Sequence, residues 1–235
     1  MKPALLLLTV AVCCSAQTPS LNFLNHNRPV LDAHNCYPDG GQWSDRIERA
    51  LSAGFPVGIE QDLTWYVDPV SKQGRAVVAH NDKPDGSEPL LRDYFFERVR
   101  PIVEKALTEN QRAKWPLIVL HFDFKSNQPA LHRAIWDLLG EYQAWITTAE
   151  KTADTHELTQ FNAGPLLVLT EDNDAQEEAF FGRLPVGGRL RIFGSAHTKP
   201  LPPDRRPEWN RLLATLPPEQ LLSAPPTTYL SLIHI

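Results

Sequence analysis

Four short stretches of this chain carry side chains that could do chemistry. They are His34 and Asn35 in the run Ala33-His34-Asn35-Cys36-Tyr37, Glu60 with Asp62, His80 before Asn81, and Asp123 with Lys125. Glu60/Asp62 and Asp123/Lys125 are each spaced i, i+2, which puts both side chains of a pair on one face of a β-strand. Three carboxylates brought together repel and raise one another's pKa. A divalent cation removes that conflict, and hard cations such as Ca²⁺ or Mg²⁺ take oxygen ligands. Glu60, Asp62 and Asp123 can supply such oxygens and the Asn35 amide a fourth, leaving positions for water or a phosphate oxygen. Imidazole titrates near neutral pH, so His34 and His80 suit a general base and a general acid on opposite sides of a phosphorus. Lys125 suits neutralisation of phosphate charge as a compact cation. Each piece alone is a weak signal, because charged residues are mostly exposed surface groups. The ordered set is the specific one.

Strand and helix patterns alternate from residue 28 onward. Strand patterns fall at residues 29–34, 57–65, 75–80, 116–125, 164–169 and 188–193. Helical patterns fall at residues 43–53, closed by Gly54, at 90–108 with an interruption at Pro101, at 129–149 and at 176–181. In the third of these, Ile135, Leu138, Leu139 and Tyr142 share a face. The alternation predicts an α/β fold with a parallel sheet and helical crossovers. The chemical residues all lie towards the C-terminal ends of the first four strands, the end at which (β/α)₈ barrels keep their active sites. The expectation is therefore a TIM-type barrel with about six βα units present. Glu60, Asp62, Asp123 and Lys125 would face inward, and Ile59, Phe122 and Phe124 the helices. An open doubly wound sheet is the alternative architecture. No glycine-rich loop follows the first strand, so the dinucleotide and P-loop fingerprints are missing.

The ordered set resembles the PLC-like phosphodiesterase superfamily: glycerophosphodiester phosphodiesterases, the X region of phosphoinositide phospholipases C, and sphingomyelinases D. The family pattern is a histidine after strand 1, E-x-D on strand 2, a histidine after strand 3 and acid-x-lysine on strand 4. His34, Glu60 with Asp62, His80, and Asp123 with Lys125 match it in order. The His34-Asn35 pair is similar to the His-Asn members, in which the asparagine also binds metal. Glycerophosphodiesterases usually carry arginine there, which counts against that narrower label. The likeness covers residues 28–125. It implies a metal-dependent phosphoric diester hydrolase acting on a phospholipid headgroup or related phosphodiester, with His34 and His80 as acid and base. Two other classes stay open: a non-catalytic barrel that binds metal or phosphate, and a metal-dependent amidohydrolase. The latter usually carries His-x-His at the end of strand 1, where this chain has Asp32-Ala33-His34.

Composition sets the remaining bounds. A hydrophobic content of 42% over 235 residues is enough for a sizeable core. A net charge of -5 gives no basic footprint for nucleic acid. Lys2, the apolar run 4–12 and the small residues Ser15 and Ala16 read as a signal peptide cleaved after Ala16, which implies a secreted or periplasmic protein. That apolar run is too short to span a membrane. Residues 17–235 then form the barrel domain. Cys36 is the one cysteine outside the leader and reads as a buried apolar residue. Six strands against eight, and the proline-rich stretch 198–226, suggest that the last barrel units are missing or replaced. Tyr37, Trp43, Trp65 and Tyr66 are candidates for lining a substrate pocket, with packing the commoner fate of such rings. Asp172, Ser195 and His197 are weaker candidates for substrate contact, and His121 reads as an interior barrel residue.

Overall fold

A computed structural model describes residues 30–38, 42–81, 83–154, 159–171, 173–194 and 229–231. In chain order the elements are β1 (Val30–Ala33), α1 (Arg46–Ser52), β2 (Val57–Val67), β3 (Gly74–Val78), α2 (Glu97–Glu109), β4 (Ile118–Phe124) and α3 (Pro129–Glu141). There follow β5 (Ala149–Glu150), β6 (Leu166–Thr170), α4 (Asp174–Glu177), β7 (Arg189–Leu190), β8 (Phe193–Gly194) and β9 (Tyr229–Ser231). A π-helical turn, Arg92–Phe96, leads into α2, and another, Glu178–Gly182, continues α4. The expected cleavage site after Ala16, and Asp172, Ser195 and His197, lie outside the described residues.

Six strands run parallel, in the order β8-β6-β4-β2-β1-β9. β6 and the first half of β4 are near-continuous apolar runs buried on both faces, the composition that a helix-covered parallel sheet demands, whereas β2, equally buried, interleaves Val57, Ile59 and Leu63 with polar residues. The expected α/β class with a mostly parallel sheet holds. On one face Ile59, Leu63, Leu120, Phe122, Phe124 and Val168 join the core cluster that also takes in the helices. The helices supply Ile47 and Ala50 from α1, Val99 and Val103 from α2, and Leu131, Ile135 and Leu139 from α3. Their i, i+3 and i, i+4 spacing is that of one apolar helix stripe. Each such fully buried aliphatic or aromatic side chain contributes about 1.5–3 kcal/mol. Gly54, at φ +94°, follows α1 as its spacing predicted. Among the described residues no helix is long and apolar enough to cross a membrane.

The structure corrects five sequence expectations. β3 is not a parallel barrel strand: it pairs antiparallel with the far half of β2, Leu63 opposite Val78 and Val67 opposite Gly74. The link of residues 68–73 is too short for a crossover, which needs a dozen or more residues, so a hairpin is the available connection. The first helix starts at Arg46 rather than residue 43, because Trp43 has a left-handed φ of +60°. The helix predicted to residue 149 ends at Glu141, and β5 follows after a 3₁₀ turn. The strand predicted at 188–193 is split, β7 pairing with β5 and β8 with β6. Pro101 lies within α2, and the irregular backbone comes earlier, at Arg92–Phe96.

Candidate active site

β2 and β4 are neighbours, and their register sets Asp62 beside Asp123 and Glu60 beside His121. Side chains alternate along each strand, so these four share the face opposite the helix-packed core residues. Lys125 lies two residues beyond Asp123, and its N–H donates to Leu63 O at 2.9 Å, which keeps it in line with β4. Asp62 is fully buried, Glu60 is 5% exposed, and Asp123 and Lys125 are half-buried. Lys125 Nζ lies 2.7 Å from Asp62 Oδ1 as an ion pair and donates a close hydrogen bond to Asp123 Oδ2. Among the described residues Asp62 Oδ2 has no hydrogen-bond partner.

Burial dominates the electrostatics. It pushes the Glu60 carboxyl up to about 8, against the Asn35 N–H bond and helped by the charges of Asp62, Asp123 and Asp32. It also raises Asp62, which Lys125 counters. Asp32 is raised by burial and drawn back by His34. Desolvation works against the Lys125 ammonium, but its bonds to Asp123 and Asp62 prevail and its pKa is raised. These are carboxylates crowded in a largely buried place, Asp62 and Asp123 held by Lys125 and Glu60 by Asn35 and His34.

The turn after β1 brings His34 to this cluster. His34 Nε2 lies 3.1 Å from Glu60 Oε2, and its Nδ1 lies 2.7 Å from the Asn35 side-chain nitrogen. With that amide donating to Nδ1, Nε2 carries the proton and donates to Glu60. Asn35 sits at φ +56°, a conformation asparagine tolerates better than most residues, and its N–H donates to Glu60 Oε2 at 2.8 Å. Arg46, at the start of α1, donates to the Asn35 carbonyl at 2.6 Å and to that of Tyr37 at 3.2 Å. Gln61, on the helix side of β2, donates to Cys36 O at 2.6 Å. The turn is thus fixed from both sides.

His80 arrives differently from expectation. It follows the antiparallel β3 and is exposed, in a loop fastened to β2 by Ala79 N–H donating to Asp62 O at 3.0 Å. It is near enough for its charge to act on Asp62, and its ring centre lies 5.8 Å from that of Tyr37. The predicted site residues His34, Asn35, Glu60, Asp62, His80, Asp123 and Lys125 therefore gather about the middle of β2 and the C-terminal end of β4.

Three participants escaped the sequence reading. Asp32 is the register partner of Gly58, on the face of Glu60 and Asp62. A Cβ on Gly58 would meet Asp32 Oδ1 at 2.5 Å, so the glycine makes room for a fourth carboxylate. The i, i+2 spacing of Asp32 and His34 was a legible signal. Arg46 and Gln61 act through backbone carbonyls and left none. Of the aromatic candidates, only Tyr37 borders the site. Trp65 covers Gly74, Tyr66 lies buried under Arg75 and against Gly86, and the Trp43 ring is stacked by Arg46 and Arg49. Burial pushes the Cys36 thiol up to about 12, which makes it a packing residue and a poor nucleophile.

Among the described residues no group of three or more His, Cys, Asp or Glu side chains stands ready-made as a metal cage. The donor chemistry nonetheless fits a hard divalent cation: the candidates are oxygens, one buried Asp62 oxygen lacks a hydrogen bond, and the crowded carboxylates are raised in pKa. No family model matches the chain, and neither the curated proteins nor the solved structures include a match to it.

Proposed function

We propose that this chain is a metal-dependent phosphoric diester hydrolase, on a TIM-type barrel of the PLC-like phosphodiesterase kind. The observation that carries the reading is the shared face of β2 and β4, where Asp62, Asp123 and Lys125 meet beside Glu60 and its bonded His34. Glu60, Asp62 and Asp123, with the Asn35 amide oxygen, would hold a Ca²⁺ or Mg²⁺ ion. When bound, that ion supplies Lewis-acid polarisation of a phosphoryl oxygen. Lys125 offsets the remaining phosphate charge. Glu60 accepts from His34 Nε2–H, so a proton taken by His34 would enter at Nδ1 in place of the Asn35 amide donor, and Glu60 as a carboxylate would stabilise the imidazolium formed. His80, exposed and near enough for its charge to act on Asp62, would exchange a proton with the other oxygen on phosphorus. The substrate is a phosphodiester, a phospholipid headgroup among the candidates. Export with cleavage after Ala16 belongs to the same proposal.

Purified protein given phosphodiesters and amides side by side tests the class. Cation-dependent release from phosphodiesters alone is expected. Turnover of amides alone would assign an amidohydrolase instead.

A further inference from the structure

Lys125 is bound where a cation would bind. Its ammonium pairs with Asp62 Oδ1 and with Asp123 Oδ2, two oxygens of the ligand set proposed above. Asp62 is fully buried and the Lys125 side chain is only 18% exposed, so this is an enclosed charge pair rather than a surface one. Two positive charges cannot share the same two carboxylate oxygens, because at that separation a divalent ion and an ammonium repel strongly and the enclosed site screens them less than water would. We propose that Lys125 is an exchangeable counter-cation: a divalent ion takes over Asp62 and Asp123, and the released ammonium swings outward to the phosphate. The inference rests on the metal-dependent reading of this site and adds a regulatory device to it.

The chemistry favours exchange over simple exclusion. Lysine is a compact charge on a flexible four-carbon stem, so its head can leave while its backbone stays in the β4 line. Leaving it between the carboxylates would cost phosphate binding its cation. Moving it makes cation and phosphate binding mutually reinforcing, since a coupling between two sites acts equally in both directions. A released Lys125 can reach a phosphate only after the divalent ion is in place, so binding is ordered, cation first.

The direct test is lysine reactivity in the wild-type protein, by reductive methylation and mass spectrometry, with and without Ca²⁺ or Mg²⁺. Lys105, 74% exposed and 3.8 Å from Glu109, serves as the internal reference. Lys125 should become at least severalfold more reactive on cation addition while Lys105 does not change. Calorimetry of cation binding to Lys125→Met should show affinity raised about tenfold over wild type. Cation binding with unchanged or reduced Lys125 reactivity would overturn the exchange and leave the metal reading standing. No cation binding to either protein would overturn both.

Discussion

At Asp62 a fully buried carboxylate with one oxygen lacking a hydrogen bond faces Asp123 one strand away. Removing its charge takes away a cation ligand and relieves a buried repulsion in one step. Asp62→Asn should therefore lose cation-dependent turnover by at least about 10²-fold, more than outer partners of a metal site are worth, with a melting temperature equal to or above wild type. Turnover within a few-fold of wild type would remove Asp62 from the site. The two histidines make separable predictions. His34→Ala and His80→Ala should each slow turnover by about 10²–10⁴-fold, the usual worth of general acid–base help. On a nitrophenyl phosphodiester the leaving group needs no proton. The variant lacking the acid should recover on it, and the variant lacking the base should not. If both stay within a few-fold of wild type on an ordinary phosphodiester, the histidines are structural.

At the scale of elements, α3 and the turn after α4 close over β4 through a ring cluster. His132 is 4% exposed, its ring centre 5.0 Å from Phe124 and 5.2 Å from Phe180. Burial lowers its pKa from the ordinary 6.5 to about 4, with the Arg183 charge adding to the effect. Between those values the unfolded chain binds a proton that the folded one refuses. Stability is therefore whole above pH 6.5, falls as pH drops towards 4, and from this group falls no further below. The ceiling is about 3 kcal/mol. His132→Leu should flatten that limb in chemical denaturation measured from pH 7 to 4, and an unchanged slope would contradict it. The same elements show what was legible in the sequence. β2 and β4 are legible because their apolar residues and i, i+2 charged pairs, Glu60 with Asp62 and Asp123 with Lys125, are local patterns. The pattern of β3 is legible as a strand but not its direction, since pairing partner is a tertiary property, although the nine residues between the patterns 57–65 and 75–80 are already too few for a crossover. The end of α3 was overrun because residues 143–149 stay apolar enough to continue a helical pattern. Asp32 is legible through its i, i+2 spacing from His34, whereas its closeness to Glu60 and Asp62 comes from the register with Gly58, a tertiary property.

For the whole molecule, a ligand that binds only the folded chain adds RT ln(1 + [L]/Kd) to stability, about 2.7 kcal/mol at a hundredfold excess over Kd. For a domain of this size that raises Tm by roughly 5–10 °C. Ca²⁺ or Mg²⁺ should produce such a shift, chelator should reverse it, and Asp62→Asn should show none; equal shifts in both proteins would place the cation elsewhere. The most direct measurement of the central claim is phosphorus NMR of a phosphodiester incubated with the wild-type protein, once with the cation and once with excess chelator. The phosphodiester signal should give way to a cyclic phosphate or a monoester with the cation present and persist under chelation. Equal conversion in both samples, or none in either, would contradict metal-dependent phosphodiester hydrolysis at this site.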